Sequence, residues 1–524
     1  MALLEGTSLV WLGLLGAVVC YQFVLRTPTI RKNGVPLKKP PNTLPIIGNG
    51  ILFLRPRQKL FSWFVKCQRQ FGHETFQITV PTLPPGVVIN NPKNLEFVFK
   101  NESIFSKGDF FKRLSWDLFG NGIINVDDEL WRAQRKAGLA FLNTSNLRVL
   151  TEVALPRYLG HAVKHLQAKE SDENIIDLQT VFHEITSQLM GKMAYDMEMH
   201  ANDDFTVAFD YASGATTKRF QNPLWFITEL ITGSKFKRAL YTIRTFGHRI
   251  VDSAVTADSK DRSPGSNPNS IPDRLDEVSG SLIQSLLEVF SDNRTIVSDA
   301  ALNYLSAGRD TVAQALTWCI YLLMQHREVV DRIRNEALAL IGNTQEPFLR
   351  PHGREEEINS AALTPISLPY TMATFYETLR LYPPIPFEIK QCEKATTLPD
   401  GTFLPEKSIV FWCTWAMNRS RISWGDDADS FRPERWLSGD GKLVTKNAAE
   451  FPVFNGGPRL CLGKRMAEIL AAQVIATMVL LFDVTPAYEG ERVSKSSLTL
   501  PMEGGLPCFV KPRLLEPEQQ YLKQ

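Results

Sequence analysis

The chain reads as mainly α with a minor β-sheet, arranged in one large body. Three observations predict this. Helical apolar periodicity dominates from about Leu147 to Ile341, β-like stretches are short and few, and no Gly/Ser or Pro linker divides the body. On length alone, 524 residues suit two or three domains, but the undivided composition favours one. Hydrophobic residues at 44% and aromatics at 10% supply a sizeable core. A net charge of +2, with no basic block and no basic patch interleaved with aromatics, excludes a nucleic-acid binder. The seven cysteines (Cys20, Cys67, Cys319, Cys392, Cys413, Cys461 and Cys508) are scattered, with neither Cys-x-x-Cys nor zinc-type spacing. That usage fits a reducing compartment.

The N-terminus opens on a charge-free stretch from Gly6 to Leu25, long enough for a transmembrane helix. A cleaved signal peptide would need a basic leader and a small-x-small cleavage site, and neither is present. Arg26, Arg31, Lys32, Lys38 and Lys39 follow directly, and positive charge on that side holds the remainder in the cytosol. Pro36, Pro40, Pro41 and Pro45 stiffen residues 26–48 into a hinge ahead of a body spanning 49–524.

Within the body, Phe76–Thr79 and Val87–Asn90 read as strands of a small antiparallel sheet joined by a Pro-rich turn. Trp131 and Arg135 lie four apart on one helical face. Polar breaks at Ala257 through Pro272 and at Asn343–Glu357 read as surface loops. A helical run from about Ser298 to Gln325 carries Ala307-Gly308-Arg309-Asp310-Thr311 at its middle. Gly and an acid/hydroxyl pair weaken a helix interior, so a local opening of the hydrogen-bond ladder is expected there. A general-acid chain for proton delivery would use that opening, with Thr311 as the hydroxyl and Asp310 as the link to solvent. Glu377 and Arg380 sit three apart on a further helix and can pair. Leu498–Gly505 followed by Cys508-Phe509-Val510 reads as a hairpin.

Phe454-Asn455-Gly456-Gly457-Pro458-Arg459-Leu460-Cys461-Leu462-Gly463 carries the sharpest signal. Each fixed position has a task if Cys461 holds a haem iron. The glycines let backbone approach a porphyrin, and Arg459 can pair with a propionate. Backbone N–H groups and the helix start after Gly463 favour a thiolate. A thiolate ligand pushes electron density into iron and promotes O–O cleavage.

This loop resembles the haem-binding loop of the cytochrome P-450 superfamily. The order of landmarks supports the resemblance: Glu377-x-x-Arg380, then Pro433-Glu434-Arg435-Trp436, then the Cys461 loop. It implies the family's triangular-prism fold behind an N-terminal membrane helix. It also implies a Glu377–Arg380–Arg435 network, Phe454 in the haem loop, and propionate contacts from Trp131 and Arg135. Lys390, after Pro383-Pro384-Ile385-Pro386, stands where the family often carries a propionate-binding Arg or His, without the planar fork of Arg; a surface lysine is the other reading.

The implied activity is insertion of one oxygen atom of O2 into a C–H or C=C bond of a hydrophobic molecule. Haem b is the cofactor, and NADPH supplies electrons through a partner flavoprotein reductase. The implied site is the endoplasmic-reticulum membrane. Arg132, Lys136, Lys464 and Arg465 would form a basic face for that reductase. The Ala-Gly-Arg-Asp-Thr run and the Cys loop are similar to those of fungal and plant fatty-acid and alkane hydroxylases, and fungal members also decorate secondary metabolites. By the same analogy Ile104–Val126, Phe205–Leu240, Pro383–Ile389 and Leu498–Gly504 line the substrate cavity, with Phe110, Phe111, Trp116, Phe119, Trp225 and Phe226 as its large apolar residues. Two alternatives are a reductase-independent haem-thiolate isomerase or dehydratase, whose members commonly lose the acid/Thr pair, and a non-enzymatic haem-binding membrane protein. Cytosolic exposure of the body predicts that the sequons at Asn101, Asn143, Asn293 and Asn418 carry no glycan. Endoglycosidase digestion of the expressed protein should therefore leave its electrophoretic mobility unchanged.

Overall fold

A computed structural model describes residues 28–513, apart from residues 82, 169–174, 262–280, 292, 343–348, 353–354, 359 and 361. The expected membrane helix at Gly6–Leu25 lies outside the described residues, as does most of the expected loop through Pro272. Among the described residues no helix is long and apolar enough to cross a membrane.

The architecture is mainly helical, with small sheets at the margin. The helices that build the site are α1 (Arg57–Phe71), α2 (Gly108–Phe119), α3 (Asp128–Phe141), α4 (Leu178–Tyr195), α5 (Asp204–Gln221), α6 (Trp225–Asp261), α7 (Arg294–Leu323), α8 (Pro369–Leu381) and α9 (Lys464–Leu481). Helix α7 is the axis of the main core, which also takes in apolar residues of α4, α8 and α9. Asn293 caps its start by accepting a hydrogen bond from the Ile296 N–H. Nearly every residue from Val312 to Leu323 is buried, as the middle of a domain this size requires.

A five-stranded sheet is built from β1 (Phe76–Ile78), β2 (Gly86–Val88), β3 (Phe105–Ser106), β4 (Phe387–Cys392) and β5 (Ile409–Cys413), in the order β1-β2-β5-β4-β3. β1 and β2 pair antiparallel, as their sequence suggested, while β2 and β5 run parallel. The basic, Pro-rich segment contributes Arg31–Lys32 and Val35–Pro36, a short hairpin paired with Thr402–Leu404.

Three sequence expectations change. Ala257–Asp261 continues α6 rather than starting a loop. Part of the second expected loop is a hairpin, Leu349–His352 with Glu355–Ile358. The strand around Cys508 (Pro507–Pro512) pairs with Phe482–Pro486 and Ile176–Asp177, not with the Leu498 segment. Strand partners distant in sequence leave no local signal, and that accounts for the last error.

Glu377 and Arg380 on α8 are fully buried. The Glu377 carboxylate accepts from Arg380 Nε and Nη2, both at 2.8 Å, and from Arg435 Nε, Trp436 Nε1 and the Arg432 N–H, each at 2.9 Å. Arg380 also donates to the carbonyls of Asn418 (2.7 Å), Ala428 (2.6 Å) and Ser430 (2.9 Å). The three residues expected to form a network are thus together, and they tie α8 to the segment leading into the Cys461 loop. Removing one partner of such a pair strands the others without water. Glu377→Ala should cost about 3–5 kcal/mol of stability, measurable as a lowered urea midpoint or as loss of folded protein.

Candidate active site

The Cys461 turn is held by backbone. The Cys461 N–H donates to the Phe454 carbonyl at 2.7 Å, and the Ala467 N–H to Gly463 at the start of α9. Gly457 has φ +59°, and a Cβ there would fall 2.1 Å from the Phe99 carbonyl; at Gly456 one would meet the Phe99 ring at 2.3 Å. Those two positions therefore exclude any side chain.

Among the described cysteines Cys461 alone is exposed, while Cys67, Cys319, Cys392, Cys413 and Cys508 are buried. Its sulfur is accessible yet recessed, so burial is the largest influence and raises its pKa. The Gly463 N–H and the charges of Arg135 and Lys464 act the other way and do not overcome it. The expected thiolate preference thus does not arise from the turn alone.

Arg135 on α3 stands beside the loop, with Nη1 3.0 Å from the Leu460 carbonyl. Its guanidinium feels both Cys461 and Tyr304 of α7. Tyr304 binds the Gln134 carbonyl at 2.8 Å, so this face of α7 is joined to α3 next to Cys461. Ala307 and Thr311 follow Tyr304 at helical spacing on that face. Ala307 is exposed and Thr311 half-buried, although the helix around them is mostly enclosed.

Three cationic groups expected at propionates differ in their partners. Arg459 is held by Glu102 (Nε, 2.7 Å), the Val126 carbonyl (Nη1, 3.0 Å) and Asp127 (Nη2, 2.8 Å). Burial pushes Asp127 up, but the Lys107 N–H, Lys112 and Arg459 outweigh it and hold its carboxyl below the usual range. Trp131 is buried beneath Arg459, whose guanidinium lies 4.1 Å from the ring, and Arg135 lies 5.5 Å from the same ring. Lys390 is 4% exposed, which overturns the surface-lysine reading. Among the described residues its ammonium makes one weak hydrogen bond, to the Phe105 carbonyl at 3.4 Å. Burial, with Lys107 and Arg459 nearby, drops its pKa to about 7. An exposed cysteine on a backbone-held turn and one buried cation with no carboxylate partner among the described residues, Lys390, fit an iron porphyrin that brings its own carboxylates. The two glycines are accounted for by Phe99. Phe454 is half-buried, with Lys464 5.4 Å above its ring.

The oxygen-side residues divide between two faces of α7. The Thr311 hydroxyl donates to the Ala307 carbonyl at 2.8 Å. Asp310 is buried on another side, where Arg309 Nε and Nη2 both lie 2.6 Å from it and His183 Nδ1 is 3.8 Å away. Arg309 is fully buried and donates from Nη1 to Thr206 at 2.7 Å. Helix α7 is continuous through this stretch, contrary to the expected opening. Gly308 has a packing reason instead, since a Cβ there would lie 2.6 Å from Met190 Sδ of α4. Sequence reading passed over Arg309, His183 and Tyr304. Only the spacing of Tyr304 with Ala307 and Thr311 could have marked that face.

A cavity of about 200 Å³ lies among α1, α2, the end of α5 and the five-stranded sheet. Each of the four expected stretches contributes, through Phe110 and Phe111, Phe220, Phe387 and Leu498. Arg57 and Leu60 of α1 and Ile78–Val87 of the sheet were not foreseen as lining. Trp116 and Phe226 are instead exposed, Phe119 is core, and Trp225 stacks on Arg219 with the guanidinium 4.4 Å from its ring. Cys461, Ala307 and Thr311 are not among the residues that line this cavity, so it is an apolar antechamber separate from the thiol.

The family model of cytochrome P-450 matches residues 38–509. Cytochrome P-450 94A1 of Vicia sativa is 29% identical over 90% of this chain and 90% of its own length. Cytochrome P-450 86B1 of Arabidopsis thaliana is 31% identical over 89% and 85%. Cytochrome P-450 monooxygenase cyp1 of Mycosarcoma maydis is 30% identical over 85% and 69%.

Lys390 gives a signed pH prediction. Its folded pKa of about 7 lies below the ordinary 10.5, so between these values the unfolded chain binds more protons. This group's contribution to stability therefore rises with pH across that window, and below it the full cost of a buried charge remains. Lys390→Met in haem-free protein should raise the urea midpoint most at pH ~6 and least toward pH ~10.

Proposed function

The chain belongs to the cytochrome P-450 family, and within that frame we propose that Cys461 is the sulfur ligand of its haem. The protein is a haem-thiolate monooxygenase acting on lipids or other hydrophobic small molecules. It uses haem b, O2 and NADPH-derived electrons passed through a reductase. Haem supplies the oxygen activation, which consumes two electrons and two protons for each oxygen atom inserted. The observation that carries the ligand assignment is that Cys461 alone is exposed among the described cysteines, set on a glycine turn packed against Phe99.

Around it, Trp131, Arg135, Arg459 and Lys390 form the basic wall for the propionates. Lys390 and Arg135 have the spare donors, whereas Arg459 already serves Glu102 and Asp127. The Thr311 hydroxyl, oriented by the Ala307 carbonyl, keeps its lone pairs for a proton donor on the accessible face. Asp310 is the carboxylate that links this hydroxyl's proton relay to solvent. A proton route through Asp310 requires the Arg309 clamp to yield, and His183, whose Nδ1 lies 3.8 Å from Asp310 with no hydrogen bond among the described residues, is the adjoining group able to exchange a proton.

The apolar antechamber suits a long lipid-like substrate more than a compact polar one. For location, we favour the endoplasmic-reticulum membrane, with residues 6–25 as a single anchor, 26–48 as its junction and 49–524 as a cytosolic catalytic body. Exposed Ile46, Ile51 and Leu54, with Phe226, Leu230 and Ile231, support this; they lie in the same stretches as cavity-lining Gly50, Phe53 and Pro223. The basic reductase face rests on Arg132, Lys136 and Arg465, all exposed, with Lys464 half-buried; Arg132 also pairs with Glu129.

Cys461→Ser tests the ligand. The spectrum of the reduced, CO-treated protein should lose its thiolate-type Soret band, and NADPH-dependent turnover with reductase should stop. An unaltered band with surviving turnover would refute the assignment.

A further inference from the structure

Arg57 stands at the N-terminus of α1 in an environment that does not match its charge. It is 4% exposed and lines the antechamber among Phe53, Leu60, Phe387 and Leu498. Its Nη1 donates to the carbonyls of Lys495 (2.9 Å) and Thr499 (2.7 Å), and its guanidinium carbon lies 5.2 Å from the Phe61 ring. Among the described residues Nε and Nη2 have no acceptor, and no carboxylate pairs with the group. Burial lowers its pKa to about 9, with only the distant Cys413 thiol acting against that.

Arg419, which donates to the Trp415 carbonyl at 3.2 Å and lies over the Trp415 ring, also pairs with no carboxylate among the described residues, but it does not line the cavity. Most other enclosed arginines are treated differently. Arg219, Arg309, Arg380, Arg435 and Arg459 each have at least one carboxylate within 3 Å. Glu388, the acid in the same cavity lining, is taken by Lys107 at 3.3 Å. A buried cation in an apolar chamber, with unused donors and no anion, is arranged for an anion that arrives from outside.

We propose that Arg57 binds the carboxylate of an amphiphilic substrate, so that the enzyme selects fatty-acid-like anions over neutral lipids of the same length. This deepens the lipid reading of the site given above and rests on it. The guanidinium fork suits a carboxylate, and the apolar walls suit the chain behind it. The anchor is also tied to the oxygen side. Thr499, whose carbonyl takes Arg57, receives Gln314 of α7 on its hydroxyl at 2.9 Å, one turn beyond Thr311. One loop therefore connects head-group recognition to the face that carries Thr311. That loop has further ties, from Gln58 Nε2 to the Ser494 carbonyl (2.7 Å) and from the Leu500 N–H to Gln314 (2.8 Å), so it does not depend on Arg57 alone.

The experiment titrates the haem-loaded full chain with dodecanoate, methyl dodecanoate and 1-dodecanol, reading Kd from the ligand-induced Soret shift, for wild type, Arg57→Gln and Arg57→Lys. Haem content and the CO spectrum confirm that each variant is folded. Loss of a charge-assisted contact should weaken dodecanoate about 10- to 100-fold in Arg57→Gln. The ester and alcohol should be unchanged, and Arg57→Lys should fall between. Equal weakening of acid and neutral ligands would make Arg57 a structural clip and overturn the proposal. So would no weakening at all. If wild type binds none of the three, the lipid reading itself fails, whereas tight binding of the neutral ligands with no preference for the acid sinks only the anchor.

Discussion

The buried carboxylate of Glu377 fixes how helix α8 meets the Arg432–Trp436 segment. It accepts five hydrogen bonds, from Arg380, Arg435, Trp436 and the Arg432 backbone, at zero exposure. Through Arg380 the same cluster saturates the carbonyls of Asn418, Ala428 and Ser430, in a segment too irregular to satisfy them itself. That segment leads directly to the glycine turn, whose position against Phe99 leaves no room for error at Gly457. An ion pair of this kind contributes little net stability compared with apolar packing, but it specifies one geometry, because every alternative strands a charge. The placement of the thiol therefore depends on a group that has no part in the chemistry.

The buried cations differ in whether a carboxylate meets them; among the described residues Arg419 has none but stacks on Trp415 within the fold. Arg219, Arg309, Arg380 and Arg435 are met by carboxylates and by carbonyls or hydroxyls, so their charge is spent inside the fold. Lys390 and Arg57 are almost as enclosed yet among the described residues meet only backbone carbonyls and no carboxylate, and burial depresses the pKa of each. A chain under no demand for those positions would lose little by replacing them with apolar residues. Their charge is retained beside the thiol loop in one case and in the antechamber in the other. Both are places where an anionic group of a bound molecule would restore the balance.

How much of this was legible in the sequence depended on range. The Cys461 loop, the Glu377–Arg380 pair and the Pro433–Trp436 segment are local patterns, and each occupies the expected element. The antiparallel pair at Phe76 and Val87 was also local and was found. Pairing across distance was not. The strand at Cys508 joins Phe482–Pro486 and Ile176–Asp177, and Arg57 meets a loop more than four hundred residues away. Nothing in the neighbourhood of Arg57 marks it as buried, since a basic residue in the first turn of a helix after Pro56 is ordinarily solvated. For Lys390 a surface position stayed open for the same reason, because hydrophobic flanks tell of a strand but not of which face closes over, and its burial removes that reading.

The run Ala307–Thr311 shows why a pattern can be right in location and wrong in mechanism. Its glycine suggested a broken helix, yet α7 is unbroken and the glycine admits Met190 of α4. With that packing the helix cannot shift easily along its neighbour, so adjacent residues keep separate surroundings. Asp310 is committed to Arg309 and His183, while Thr311 stays on the accessible side with Ala307. An acid and a hydroxyl adjacent in sequence are therefore isolated from each other in space by the helix itself. Any proton passing between them must cross around the backbone, through a side-chain rotation or a water, and the tightness of the Arg309 clamp then governs how readily that crossing occurs.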